Sequence, residues 1–169
     1  MFPIDFCHIP VSIIKRSAGR SAVAAAAYRS GTKLTNEWDG MTHDYTRKGG
    51  IVHAEIMLPA YAPPEFADRS ILWNSVEQIE KTRDSQLARE IEAALPRELS
   101  GEQQLALVRA YVKDNFVDKG MCADLMDNDH ALEAADPLEL AEIKRLWEPY
   151  INQLPDYAYL CKDLLNGKM

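Results

Sequence analysis

The segment from Gly19 to Gly31, GRSAVAAAAYRSG, sets the strongest limit on what this chain can fold into. Alanine loses no side-chain entropy when a helix orders, so the run Ala22–Ala27 predicts a helix. Gly19 marks a turn before it, Ser21 or Ser17 supplies an N-cap, and Gly31 ends it. Tyr28 and Arg29 then fall in the last turn.

Around this helix the pattern alternates between extended and helical segments. PIDFCHIPVSII (3–14) is β-branched and aromatic and reads as a strand that tolerates Pro10 at an edge. Residues 32–50 are polar and turn-rich, an irregular loop or loose hairpin, and IVHAEIMLP (51–59) reads as a strand. Asp68 opens a helix that runs to Arg83, with Ile71, Leu72, Val76 and Ile79 as its apolar stripe. LAREIEAALP (87–96) is helical by propensity, yet its length before a proline also suits a strand. A helix from Glu102 to Phe116 turns Leu105, Leu107, Val108, Tyr111 and Val112 inward, and Gly120 stops it. A short strand at 121–127 follows, then a helix from Pro137 to about Trp147. Leu72, Trp73 and Tyr111 are read as core. The fold class expected is α/β in the α+β sense, an antiparallel sheet flanked by helices.

Composition narrows the function classes. With 169 residues, 47% hydrophobic and 27% charged, the chain matches an ordinary soluble domain. It has no apolar run of the ~18–20 residues that span a bilayer, and no basic leader precedes its first apolar stretch. Cys7, Cys122 and Cys161 form neither an even set nor a CxxC pair, which predicts free thiols in a reducing, cytoplasmic setting. The net charge of −7 argues against a nucleic-acid partner until it is divided along the chain. Residues 1–60 carry +2, residues 61–120 carry −3 and residues 121–169 carry −6, while the window 15–50 alone carries +4. A local basic patch can bind phosphate on an acidic protein.

Within that window Tyr28 stands beside Arg29 and after Lys15, Arg16 and Arg20. A phenol is a poor nucleophile until something activates it; neighbouring cations favour its ionised form and also hold a phosphodiester. A tyrosine that merely packs the end of its helix accounts for the same spacing. Lys15, Arg16, Arg20, Arg29, Lys33, Arg47 and Lys48, interleaved with Tyr28, Trp38 and Tyr45, have the composition of a single-strand DNA surface, with cations on phosphates and rings on bases.

The stretch from Cys7 through IMLP, with GRSAVAAAAYRSG at its centre, resembles MobA/MobL-type relaxases, the MobQ group of plasmid mobilisation nickases. The resemblance continues through FADRSILWNSVEQIE, SQLAREIEAALPRELS and LVRAYVKDNFVDKGMCADL, about residues 6–125. It implies an HUH-type fold in which LAREIEAALP is a strand. It also implies binding of single-stranded DNA at an origin of transfer, and attack on the scissile phosphate by an N-terminal tyrosine, which here is Tyr28. Relaxosome proteins are the implied partners, and no membrane is.

A divalent metal, Mg²⁺ or Mn²⁺, is also implied by the resemblance, held by a histidine on the strand after GMCAD and a His-x-His pair beyond it. This sequence departs from that pattern. Asn128 falls about where the first histidine belongs, His130 comes two residues later, and no His-x-His pair follows. The four histidines, His8, His43, His53 and His130, are unpaired in sequence. Asp127, Asp129 and His130 offer alternative donors, though an acidic loop before a helix explains them as well. No metal ligand is therefore assigned.

The expected organisation is an incomplete relaxase-like domain over 1–126 and an acidic helical tail over 127–169. That tail reads either as replacement sequence in a truncated relaxase or as an addition whose amphipathic helix PLELAEIKRLWEPYI covers an open sheet. Two function classes follow: a DNA-nicking relaxase acting through Tyr28, or an inactive module that binds DNA or a partner.

Overall fold

A computed structural model describes residues 11–92, 95 and 99–128. They divide into two compact units: Val11–Ile91 with the described part of Phe116–His130, and the described part of Glu92–Asn115. His8, Cys7, Cys161, Asp129, His130 and the helix expected from Pro137 lie outside the described residues.

The larger unit holds six strands and two helices. β1 (Val11–Lys15) leads through a 3-10 turn, Arg16–Ala18, to α1 (Ala22–Ser30). β2 (Lys33–Thr35), β3 (Thr42–Asp44) and β4 (Ile51–Met57) follow, then α2 (Arg69–Ile79), β5 (Gln86–Ile91) and, after a 3-10 turn at Val117–Lys119, β6 (Ala123–Asn128). Among the described residues the strands form three antiparallel pairs, β1 with β5, β2 with β3 and β4 with β6. The mixture of helices with antiparallel strands is the α+β class read from the sequence.

The strand reading of 87–96 is the correct one over Gln86–Ile91. Val11 faces Ile91, Ser12 faces Glu90 and Ile14 faces Ala88 across the pair, with an irregularity between Ile14 and Lys15. Long-range pairing and the burial of Leu87 override the helix propensity of the segment. The polar stretch 32–50 is a hairpin, tied by Leu34 opposite His43.

α1 begins as expected, with the Ser21 hydroxyl accepting from the Ala24 N–H at 3.2 Å. It ends on Gly31 at φ +63°, a left-handed conformation that glycine adopts without penalty. Its alanines let it lie close to its neighbours. Val23, Ala26 and Ala27 bury against Leu34 with Tyr45 and Trp73, while Ala22 buries with Ile14 and Leu87. Trp73 and Val76 of α2 pack on these clusters.

The apolar stripe predicted for α2 needs correction. Leu72 is buried, but Ile71 is 44% exposed and Ile79 is 71% exposed. Two polar residues, Asn74 and Glu77, take their places on the inner face. Asn74 accepts from the Glu37 N–H at 2.9 Å and donates to the Thr35 carbonyl at 3.0 Å, stitching α2 to the hairpin. Hydrophobic periodicity misses such a face because its polar groups are buried by virtue of their partners. The helix also stops at Ile79, short of Arg83.

β6 is fixed to α2 by a buried network. Asp124 accepts from Arg69 Nε and Nη2, both at 2.7 Å, and from the Trp73 indole at 2.9 Å. In the smaller unit, α3 (Gly101–Asn115) opens with a reciprocal capping box. Ser100 Oγ accepts from the Gln103 N–H, and Gln103 Oε1 accepts from the Ser100 N–H. Leu107 is buried on it, while Tyr111, read as core, is half-buried.

Candidate functional site

α1 carries the candidate site on its last turn. Tyr28 is 48% exposed there, because its position points away from the alanine face that packs inward. Three side chains frame its ring. Tyr45 meets it edge-on, with centroids 5.2 Å apart and planes at 85°. The Lys48 ammonium sits 3.8 Å from the ring centroid and donates to the Tyr28 carbonyl at 2.8 Å. The Arg29 guanidinium lies 5.9 Å from the same centroid. An aromatic face attracts cations through its quadrupole, so the ring and its charges order one another. Lys48 also satisfies a carbonyl at the helix C-terminus, where the macrodipole favours positive charge. Tyr45 reaches this position from the end of the β2–β3 hairpin, and Lys48 from the turn after it, where its N–H bonds the Tyr45 carbonyl.

The basic residues predicted to face DNA do not behave alike. Arg29 and Arg20 both reach Glu90 on β5, with Arg20 Nη2 to Oε2 at 2.8 Å and Arg29 Nε to Oε1 at 3.4 Å. Lys33 is exposed, 4.0 Å from the Asp44 carboxylate across the hairpin. Arg47 is exposed and Lys15 is half-buried at the end of β1.

Arg16, read from the sequence as a DNA contact, is instead committed inward. Its Nη2 donates to the Glu77 carboxylate at 2.9 Å and to the Glu77 carbonyl at 2.8 Å, and Nη1 donates to the carbonyls of Glu80 and Thr82. The guanidinium also stacks 4.2 Å from the Trp38 ring centroid. That stacking takes one face of Trp38, the third aromatic of the predicted surface.

Two acidic residues matter that sequence reasoning passed over. Glu77 is 2% exposed and accepts from Arg16, from the Ser21 hydroxyl at 2.9 Å and from the Ala22 N–H at 2.7 Å. It thus anchors the N-terminal end of α1. Glu90 sits between Arg20, Arg29 and the Ser12 hydroxyl. Burial would raise its pKa, but the hydrogen bonds from Arg20, Ser12 and Arg29 outweigh that and hold the carboxyl below its usual range. A charged residue at i, i+2 on a strand gives no local sign of such a role; only the pairing of β1 with β5 creates it.

The described histidines lie on the strands. His43 is on β3, and His53 on β4 lies 3.6 Å from Glu55 and opposite Asp127 of β6. Among the described residues no group of three or more His, Cys, Asp or Glu side chains is placed to hold a metal ion. Cys122 is half-buried, and burial pushes its thiol up. No helix of the described residues is long and apolar enough to cross a membrane.

The chain is similar to known proteins. The sequence pattern of the MobA/MobL family matches residues 20–137. The conjugal transfer protein TraA of Rhizobium radiobacter is 48% identical over 127 residues, which cover 69% of this chain and 12% of TraA. The mobilization protein MobL of Acidithiobacillus ferridurans is 48% identical over 118 residues, covering 70% of this chain and 30% of MobL. A probable mobilization protein MobA of Bifidobacterium longum is 36% identical over 116 residues, covering 69% of this chain and 20% of that protein. This chain thus spans less than a third of the length of these relatives. In fold it is similar to a structure solved for the molecular basis of vancomycin resistance transfer in Staphylococcus aureus. The TM-score is 0.64 and the identity 23%, over 86% of this chain and 90% of that one. With the family pattern covering well over half of its residues, the chain belongs to the MobA/MobL family.

Proposed function

We propose that the chain is the tyrosine-bearing part of a relaxase of plasmid mobilisation, holding single-stranded DNA at an origin of transfer and nicking it through Tyr28. The observation that carries this reading is the convergence at the end of α1, where an exposed phenol is framed by Lys48, Arg29 and Tyr45. Relatives named for conjugal transfer and mobilisation support it. Lys15, Lys48, Arg29, Arg20, Lys33 and Arg47 would track phosphates, and the Tyr28 and Tyr45 rings would meet bases. Arg16 is left out of this set because its guanidinium is engaged by Glu77 and three carbonyls.

In the reaction the Tyr28 Oη bonds to the scissile phosphorus as the bond from phosphorus to the 3′ oxygen breaks. The phenolic proton leaves to solvent, the 3′ oxygen takes one up, and a 5′-phosphotyrosine and a 3′-hydroxyl result. The cations stabilise charge on the non-bridging oxygens. Residues 1–126 form the relaxase-like domain in this reading and 127–169 the tail. Relaxosome proteins are its partners, and the cytoplasm is its compartment.

The divalent metal implied by the family resemblance does not fit the described residues, which offer no three-ligand cluster, and no step is routed through it. The missing His-x-His pair in the sequence favours a second reading, an inactive module that binds DNA without cutting it. One experiment separates the two. Origin-bearing single-stranded DNA is incubated with the protein and Mg²⁺ or Mn²⁺ and resolved on a denaturing gel. A covalent adduct that disappears in Tyr28→Phe establishes nicking. Salt-sensitive binding with no adduct in any condition, indifferent to Tyr28→Phe, establishes the module.

A further inference from the structure

Glu90 occupies an unusual place for an acidic residue in a surface proposed to bind DNA. It lies on β5 directly opposite Ser12 of β1, and its two oxygens divide three donors. Oε2 accepts from the Ser12 hydroxyl at 3.0 Å and from Arg20 Nη2 at 2.8 Å, while Oε1 accepts from Arg29 Nε at 3.4 Å. Arg20 precedes α1 and Arg29 is in its last turn, so one carboxylate gathers cations from both ends of the helix. The order of exposure decides what this does. Glu90 is the deepest of the three at 16%, with Arg29 at 31% and Arg20 at 41%. The two guanidiniums therefore present more of their surface to solvent than the carboxylate that holds them.

We infer that Glu90 is a positioning residue that pins Arg20 and Arg29 into a paired seat for a backbone phosphate beside Tyr28. The inference rests on the proposed DNA reading and names the subsite that reading needs. Two guanidiniums held side by side repel one another; the carboxylate they share relieves that repulsion and fixes the direction of each planar fork. Arg29 links the seat to Tyr28, 5.9 Å from its ring centroid.

The seat makes a prediction opposite in sign to simple electrostatics. Removing a negative charge from a DNA-binding face ordinarily tightens binding. Here Glu90→Gln, measured by fluorescence anisotropy with a labelled single-stranded oligonucleotide, weakens binding about fivefold, because the arginines lose their common anchor. In an Arg20→Gln/Arg29→Gln background the same substitution has no such effect. Glu90→Asp keeps the charge but shortens its reach, and weakens binding likewise. Circular dichroism confirms that each variant is folded. Unchanged or tighter binding by folded Glu90→Gln overturns the seat, and so does wild-type affinity in Glu90→Asp.

A second readout separates failure of the seat from failure of the DNA reading. The Nε–Hε resonances of Arg20 and Arg29 are followed by NMR during titration with inorganic phosphate. If the wild-type protein binds no oligonucleotide yet both resonances shift with phosphate, and shift less in Glu90→Gln, the DNA reading falls and the seat stands. If neither resonance responds to phosphate in the wild-type protein, the seat is overturned.

Discussion

The two ends of α1 obey the same electrostatic rule and serve different ends. At the N-terminus the Glu77 carboxylate meets the Ala22 N–H and the Ser21 hydroxyl; at the C-terminus the Lys48 ammonium meets the Tyr28 carbonyl. Each charge complements the helix macrodipole. They differ in burial. Glu77 is 2% exposed and sealed under Arg16, with Asn36 at 1% donating to Ser21 Oγ alongside it. Tyr28 is 48% exposed; beside it Lys48 meets a carbonyl and the ring face, and Arg29 meets the Glu90 carboxylate. The sealed end fixes where the helix begins, and so where its last turn arrives. The open end keeps its cations within reach of a ligand. Under the proposed nicking role, such a site gains precision from the rigid element that carries it.

The largest test of this contrast removes the sealed charge. Glu77→Ala strands the Arg16 guanidinium and leaves the first turn of α1 without its anion, which costs about 3–5 kcal/mol in urea denaturation. Tyr28→Phe, at the open end, stays within about 0.5 kcal/mol of wild type while losing any covalent DNA adduct. Comparable stability losses at the two ends would break the comparison. Next in size is Gly31→Ala. It places a Cβ at φ +63° and drives it into the Ile51 side chain, so it destabilises by at least about 1–2 kcal/mol, read from the melting curve. Because Gly31 directly follows the turn that bears Tyr28, the variant should also weaken oligonucleotide binding; binding unaltered at full stability loss would uncouple the two.

These contrasts show what the sequence made legible. α1, its Ser21 cap and its Gly31 stop are local chemistry, and local chemistry reads directly from residue types. The placement of Tyr28 and Arg29 follows from counting turns. What escaped is whatever depends on a distant partner. Asn74 and Glu77 are missing from the stripe read for α2 because polarity alone cannot reveal a buried hydrogen-bond partner dozens of residues away. The Arg16 bond to Glu77 is hidden for the same reason, since nothing near Arg16 in sequence announces Glu77. LAREIEAALP favoured helix by propensity, and only pairing with β1 makes Gln86–Ile91 a strand. Family resemblance resolved that ambiguity where propensity could not, because it carries tertiary context that single residues lack.

Smaller effects sharpen the open end. Lys48→Met removes a cation from the C-terminus of α1 and from the Tyr28 ring, for about 0.3–1 kcal/mol of stability. If Lys48 contacts a phosphate, the salt dependence of oligonucleotide binding falls by about one ion equivalent. An unchanged slope with reduced stability would make Lys48 purely a helix-end residue, and the two ends of α1 would then differ less than their burial indicates.

The smallest effect concerns acid, and it isolates Glu90 from Glu77. Glu90 is held below its ordinary value of 4.5 in the folded chain, so the folded state favours its ionised form. A depressed carboxylate contributes stability that is fully present above the unfolded value and is lost as pH falls through the folded one. The gap in urea midpoint between wild type and Glu90→Gln should therefore be widest near neutrality and close progressively below pH 4.5. Solvent screens the Arg20 and Arg29 partners, so the gap is small throughout. Its pH dependence carries the information rather than its size. A gap that persists undiminished into acid would mean that Glu90→Gln acts through packing, and that the carboxylate charge does not organise the two arginines.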